Sequence, residues 1–199
     1  VGEALAAAES PGGAATGDRI GPYRLRGLLG RGGMGEVWEA ERADGQFEQV
    51  VALKLVKRGM DSEEVLRRFL RERQILARLE HPNIARLLDG GLAPDDRPYL
   101  VLERVDGEPI VAWCRAQRSD LAARLRLVIA VAEAVDLAHR NLVVHRDLKP
   151  SNLLVDATGT VKLLDFGIAK ILVSDHEPGD STRLEDRALT PAYAAPEQI

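Results

Sequence analysis

Gly30, Gly32 and Gly35 form a G-x-G-x-x-G pattern, and the segments on both sides of it alternate like strands: YRLRGLLG enters the glycines and EVWEAERA leaves them. A dinucleotide-binding fingerprint needs a helix directly after its glycines, so these flanks argue against a doubly wound parallel sheet. Two strands joined by a glycine turn can instead lie over a triphosphate, offering it backbone N–H groups with no side chain in the way. A plain glycine-rich hairpin satisfies the same pattern, so the motif alone leaves both readings open.

The rest of the chain extends the strand-rich reading before it turns helical. QVVALKLV reads as a third strand after a turn at Asp44-Gly45. In DSEEVLRRFLRERQILARL, Leu66, Phe69, Leu70, Ile75, Leu76 and Leu79 recur at helical spacing, with Asp61 and Glu64 as a capping box. HPN breaks that helix, and IARLLDGGL and PYLVLERV read as two more strands around the turn-prone APDDR. A second amphipathic helix, DLAARLRLVIAVAEAVDLAHR, follows Ser119 as its N-cap. The pattern predicts an α+β fold in two lobes: a disordered Ala/Gly-rich leader over 1–18, a small β-rich lobe over 19–105 and a helical lobe over 106–199.

Composition narrows the partners. At 199 residues, 45% hydrophobic and 29% charged, the chain suits one domain or little more. A net charge of −4 argues against a nucleic-acid or membrane-surface binder, which needs a basic surplus. The single cysteine, Cys114, excludes an internal disulfide and a thiolate zinc cluster. No apolar stretch is long enough to span a bilayer and no secretory signal is read, so a cytoplasmic location is expected.

Three further segments carry chemistry. Lys54 lies in VALK between apolar neighbours, where a lysine needs an anion to offset its burial. Glu72, in RERQIL on the following helix, is a plausible partner, although helix position alone suits a solvated glutamate equally. HRDLKPSN packs His145, Arg146, Asp147, Lys149 and Asn152 into one short loop. Asp147 can accept a proton from a hydroxyl, Lys149 can neutralise a transferring phosphoryl group, and Asn152 can give a metal a neutral oxygen. Asp165-Phe166-Gly167 then follows an apolar strand, where a carboxylate is well placed to hold Mg²⁺ against phosphates. Ala195-Pro196-Glu197 closes the series after Thr190-Pro191.

Taken in order, these motifs resemble the eukaryotic-like protein kinases from about Ile20 to Ile199, and GRGGMGEVW, HPNIARLLDGG and TPAYAAPEQ are closest to bacterial serine/threonine kinases. The resemblance implies ATP and Mg²⁺ as cofactors and protein serine or threonine hydroxyls as acceptors. It implies that Leu29, Gly30, Gly32, Gly33 and Gly35 cover the nucleotide, with Val37 and Ala52 above the adenine and Leu154 below it. Lys54 would contact the α- and β-phosphates and pair with Glu72. Glu103 and Val105, after Leu102 as gatekeeper, would offer hinge backbone groups. Asp147 would be the catalytic base, Lys149 would steady the γ-phosphate, and Asn152 and Asp165 would hold Mg²⁺. Leu76, Leu87, Phe166 and His145 are candidates for the apolar spine. Only five of the 27 basic residues are lysine, and two of them fall at 54 and 149, where the family uses a compact charge.

Arg146 suggests control through the activation loop, either by a fixed anion at Glu185 or Asp186 or by phosphorylation at Ser181 or Thr182. Two alternatives stand beside the kinase reading. A kinase-fold small-molecule phosphotransferase shares the Asp and Asn but not the Ala195-Pro196-Glu197 platform. A nucleotide-binding pseudokinase would have lost Lys54, Asp147 or Asp165. The chain begins at Val1 and stops two residues past Glu197, so a C-terminally truncated domain is expected, poorly stable and weakly active alone. Its parent is expected to continue into a sensor or repeat domain and a membrane anchor.

Overall fold

The computed structural model describes residues 13–32, 35–59, 63–164 and Tyr193. Short β1 (Arg19–Ile20) leads into β2 (Tyr23–Gly32), β3 (Gly35–Arg42) and β4 (Val50–Val56). Helix α1 (Glu63–Leu76) follows, then β5 (Leu87–Leu92) and β6 (Pro98–Glu103). These strands form one antiparallel six-stranded sheet in the order β1-β2-β3-β4-β6-β5. The chain then makes β7 (Gly107–Pro109), α2 (Ile110–Ala116) and the long α3 (Leu121–Arg140). A 3-10 turn (Pro150–Asn152) opens into β8 (Leu153–Asp156) and β9 (Val161–Leu163), which complete a three-stranded sheet with β7.

Strand alternation sorts the larger sheet into two faces. Leu25, Trp38, Ala40, Val51, Leu53, Leu55, Tyr99 and Val101 bury one face. The intervening residues of β4 and β6, Lys54 and Leu100 among them, belong to the other. On that side Phe69 and Leu76 of α1 pack with Leu100, Ile84, Ala134, Ala138 and Leu163, so one apolar cluster joins the sheet to α3 and β9. Each leucine, isoleucine or phenylalanine among them contributes about 1.5–3 kcal/mol on burial. A third cluster, Cys114, Leu127, Val131, Val155 and Val161, seats α2 and α3 on the smaller sheet.

Several expectations shift. Gly17 and Asp18 belong to the folded body, because the N–H of Gly17 donates to Leu25 O at 2.8 Å and that of Leu25 donates to Asp18 O at 2.9 Å. Ala14 also packs against the larger sheet. Ala14, Gly17 and Asp18, which the sequence reading placed in the leader, thus contact the larger sheet. Asp120, not Ser119, caps α3: its carboxylate accepts from the Ala123 N–H at 2.7 Å, while the Ser119 N–H closes α2 on Cys114 O. The capping box at Asp61 lies outside the described residues. No helix among the described residues is long and apolar enough to cross a membrane.

Two carboxylates, Asp89 and Asp156, tie neighbouring segments together. Tyr23 Oη donates to Asp89 at 3.1 Å, and burial with the nearby carboxylate pushes the phenol up to about 12, so it remains a donor at any ordinary pH. In the β8–β9 turn, the Asp156 carboxylate accepts from Thr158 Oγ1 at 2.6 Å and from the N–H groups of Thr158 and Thr160. Those bonds lower its pKa from the ordinary 3.8, the hydroxyl of Thr158 contributing most. Asp156→Ala is expected to cost on the order of 1 kcal/mol. Because the folded pKa is depressed, this stability is present above the unfolded pKa and is lost as pH falls through the folded one. Thermal melts of wild type and variant therefore differ at pH 7 and converge in strong acid.

Candidate active site

The site is built on one transverse row of the larger sheet. Gly30 pairs with Val37, Val37 with Lys54, and Lys54 with Leu100. Ala52, two residues before Lys54, pairs with Leu102. Residues spaced by two on neighbouring strands share a face, so Val37, Ala52, Lys54 and Leu102 line the same side of the sheet. Lys54 is buried there at 4% exposure. Leu29 stands half exposed at a bulge in β2, between the Leu28 and Gly30 pairings.

The glycines of the hairpin do different jobs. Beyond Gly30 and Gly32 a Cβ would meet nothing within 4 Å, so an open space lies against the hairpin. Gly35 is different: its φ is +134°, and a Cβ there would lie 2.1 Å from Leu55 O. Gly35→Ala is therefore expected to cost about 2–4 kcal/mol, because the side chain is both strained and blocked by main chain. Gly30→Ala and Gly32→Ala should leave the melting temperature nearly unchanged while weakening nucleotide binding. Melting curves and ATP titration of the three variants check this contrast. Gly33 lies outside the described residues.

The HRDLKPSN loop folds around its own polar groups. His145 is buried, and Nε2 lies 2.9 Å from Leu164 O while Nδ1 lies 3.3 Å from the Asp147 N–H. A carbonyl can only accept and an amide N–H can only donate, so the ring is neutral with its proton on Nε2. Lys149 Nζ sits 2.9 Å from Asp147 Oδ2. Asn152 Nδ2 donates to Asp147 O at 2.8 Å and reaches Oδ2 at 3.3 Å. Both neighbours are acceptors, so the amide NH₂ must face Asp147, which leaves Oδ1 as the side chain's acceptor. That orientation fits a hard cation, which takes oxygen ligands. Among the described residues no group of three or more His, Cys, Asp or Glu side chains could hold a metal ion.

Leu164 is held on both sides, its carbonyl by His145 and its N–H by Asn152 O at 2.8 Å. Asp165, Phe166, Thr190 and the activation-loop residues Ser181, Thr182, Glu185 and Asp186 lie outside the described residues. Glu72 is on α1 as expected, and of the spine candidates Leu76 is buried and Leu87 packs against the same cluster.

Three contacts escaped the sequence reading. The Glu103 carboxylate binds Lys162 Nζ at 2.8 Å and the Arg86 N–H at 3.2 Å, while the Glu103 N–H donates to Arg86 O. Lys162 pairs with Leu154 in β8, so this clamp brings the end of β6 against the strand that carries Leu154. Arg104 Nε reaches Glu39 on β3 at 3.0 Å, and its Nη1 donates to Val105 O. Asn83, read only as part of a helix breaker, donates to Val161 O at 2.7 Å and accepts from the Leu163 N–H. All three join residues far apart in sequence and leave no local pattern.

The glycine hairpin and the buried Lys54 thus share one row of the larger sheet, and Asp147, Lys149 and Asn152 cluster in the loop before β8. The family described as the protein kinase domain matches residues 23–199. The chain is 40% identical over 184 residues to serine/threonine-protein kinase PknA of Mycobacterium tuberculosis, covering 89% of this chain and 41% of that protein. It is 38% identical over 185 residues to serine/threonine-protein kinase PknE of the same organism, covering 92% of this chain and 31% of PknE. The crystal structure of the M. tuberculosis PknI kinase domain superposes with a TM-score of 0.66 at 32% identity, covering 78% of this chain and 62% of that one. This chain belongs to the protein kinase family. It spans about two fifths of the length of the PknA relative and less than a third of PknE.

Proposed function

We propose that the protein is a serine/threonine kinase that transfers the γ-phosphate of ATP to protein hydroxyls. The observation that carries the reading is the Asp147 carboxylate held between the Lys149 ammonium and the Asn152 amide. Asp147 takes the proton of a serine or threonine hydroxyl as its oxygen forms a bond to the γ-phosphorus. The bond from that phosphorus to the bridging oxygen breaks, and ADP leaves with the electron pair. Lys149 stands where it can balance charge on the transferring group while holding Asp147 in place. Lys54 supplies a second fixed charge towards the α- and β-phosphates, and the bare surface at Gly30 and Gly32 admits them. Asn152 Oδ1 and Asp165 would hold Mg²⁺, which when bound offsets negative charge on the phosphate oxygens. Catalysis of this kind rests on positioning and electrostatics.

The names of the PknA and PknE relatives favour a protein hydroxyl over a small-molecule acceptor. Lys54, Asp147 and Asp165 are all present, which speaks against a pseudokinase. A cytoplasmic location, where ATP is kept, suits the lone cysteine. A membrane anchor and a sensor or repeat domain in the whole protein belong to the same proposal. The test is the identity of the product. The protein from the full gene is incubated with γ-labelled ATP, Mg²⁺ and a basic protein acceptor, and the product is hydrolysed in acid. Labelled phosphoserine or phosphothreonine is expected. Label confined to phosphotyrosine or to a small molecule would overturn the reading.

A further inference from the structure

Val37, Ala52 and Leu102 share one face of the larger sheet, and all three stay partly exposed although Lys54 beside them is buried. Glu39 pairs with Ala52, and Ala52 with Leu102. Between β3 and β6 this row therefore carries only the methyl group of Ala52, which leaves a shallow apolar slot.

An ion pair crosses one end of that slot. Glu39 lies two residues beyond Val37 on β3, so it stands on the same face. From the residue just past β6, Arg104 Nε reaches the Glu39 carboxylate at 3.0 Å. The same guanidinium donates through Nη1 to Val105 O. That second bond orients the planar fork towards Glu39 and lowers the entropy cost of holding the pair. The two side chains are 29% and 30% exposed, so solvent screens them less than a pair on the open surface.

The position of the pair gives it leverage. Main-chain bonds hold β3 to β4 and β4 to β6, yet the twist between neighbouring strands varies widely in sheets. A side-chain bridge from β3 to the residue after β6 spans both junctions and limits how far the sheet can open across β4. Residues 35–39 of β3 run from the glycine hairpin to this bridge, so the same strand carries Val37 and the end of the hairpin turn.

We infer that Arg104 and Glu39 are positioning residues: their ion pair straps β3 to the segment after β6 and so sets the width of the slot that takes the nucleotide base. The inference rests on the kinase reading above and adds to it two residues that act on affinity for ATP through the shape of the sheet.

The test is a double-mutant cycle in the protein from the full gene, measuring Kd for Mg-ATP, kcat at saturating ATP and thermal melting. Arg104→Met and Glu39→Gln should each raise Kd about threefold at low salt, with kcat held. The double variant should bind no more weakly than either single one, because each removes the same pair. Arg104→Lys keeps the charge and should recover part of the loss. Raising the salt concentration should shrink the difference between wild type and variants, since it screens the pair. Glu39→Gln is nearly isosteric and carries the test if Arg104→Met fails to fold. Losses that multiply in the double variant, a Kd equal to that of wild type in both single variants, or a loss in kcat alone would overturn this inference and leave the kinase reading standing. A wild type that binds no ATP would overturn the kinase reading and the inference with it.

Discussion

Asp147→Asn is expected to lower phosphate transfer by about 10³–10⁴-fold while nucleotide still binds and the fold persists. The substitution is nearly isosteric and leaves the loop's main-chain bonds in place. The Asp147 N–H still meets His145 Nδ1, and Asp147 O still accepts from Asn152. What disappears is the carboxylate proposed to take the hydroxyl proton, together with its charge beside Lys149. The effect should fall on kcat with little change in KM for ATP. Single-turnover transfer from γ-labelled ATP, set beside nucleotide titration of the same preparation, measures both quantities. A variant as fast as wild type would remove Asp147 from the chemistry.

Lys54→Met is the second large effect, and it separates a functional lysine from a merely buried one. Lys54 is 4% exposed, and its cross-strand neighbours Val37 and Leu100 are apolar. Methionine has a similar length and suits those neighbours, so the melting temperature should stay close to that of wild type. Transfer should fall by at least about 10²-fold, since a fixed charge in a site sheltered from water counts for far more than one in solvent. A variant that melts like wild type and also transfers like wild type would make Lys54 a packing residue.

Much of this site could be read from the sequence because its chemistry is local. His145, Asp147, Lys149 and Asn152 fall within one loop, and among the described residues Asp147 meets Lys149 and Asn152 while His145 meets Leu164. The longer strands of the larger sheet were legible because β2, β3 and β4 run for 10, 8 and 7 residues, long enough to show a strand composition even where burial alternates only in part. β1, β7 and α2 were not read, because two, three and seven residues are too few to show a period. Ser119 and Asp120 are both good caps, and only the backbone decides which carboxyl or hydroxyl meets the first turn. The clamp between Glu103 and Lys162 and the reach of Arg104 to Glu39 join separate elements, so they exist only once the sheets have formed.

The central claim is that these groups assemble into a site that moves phosphate from ATP to a protein hydroxyl through Asp147. It is tested most directly by the rate of γ-phosphate transfer to a serine- and threonine-containing protein, with wild type and Asp147→Asn side by side at saturating Mg-ATP. Turnover near the ~1–100 s⁻¹ typical of kinases for wild type, with loss of that turnover in a variant that still binds ATP, is the predicted result. Equal rates in the two proteins, or a wild type that binds ATP and transfers nothing, would contradict it.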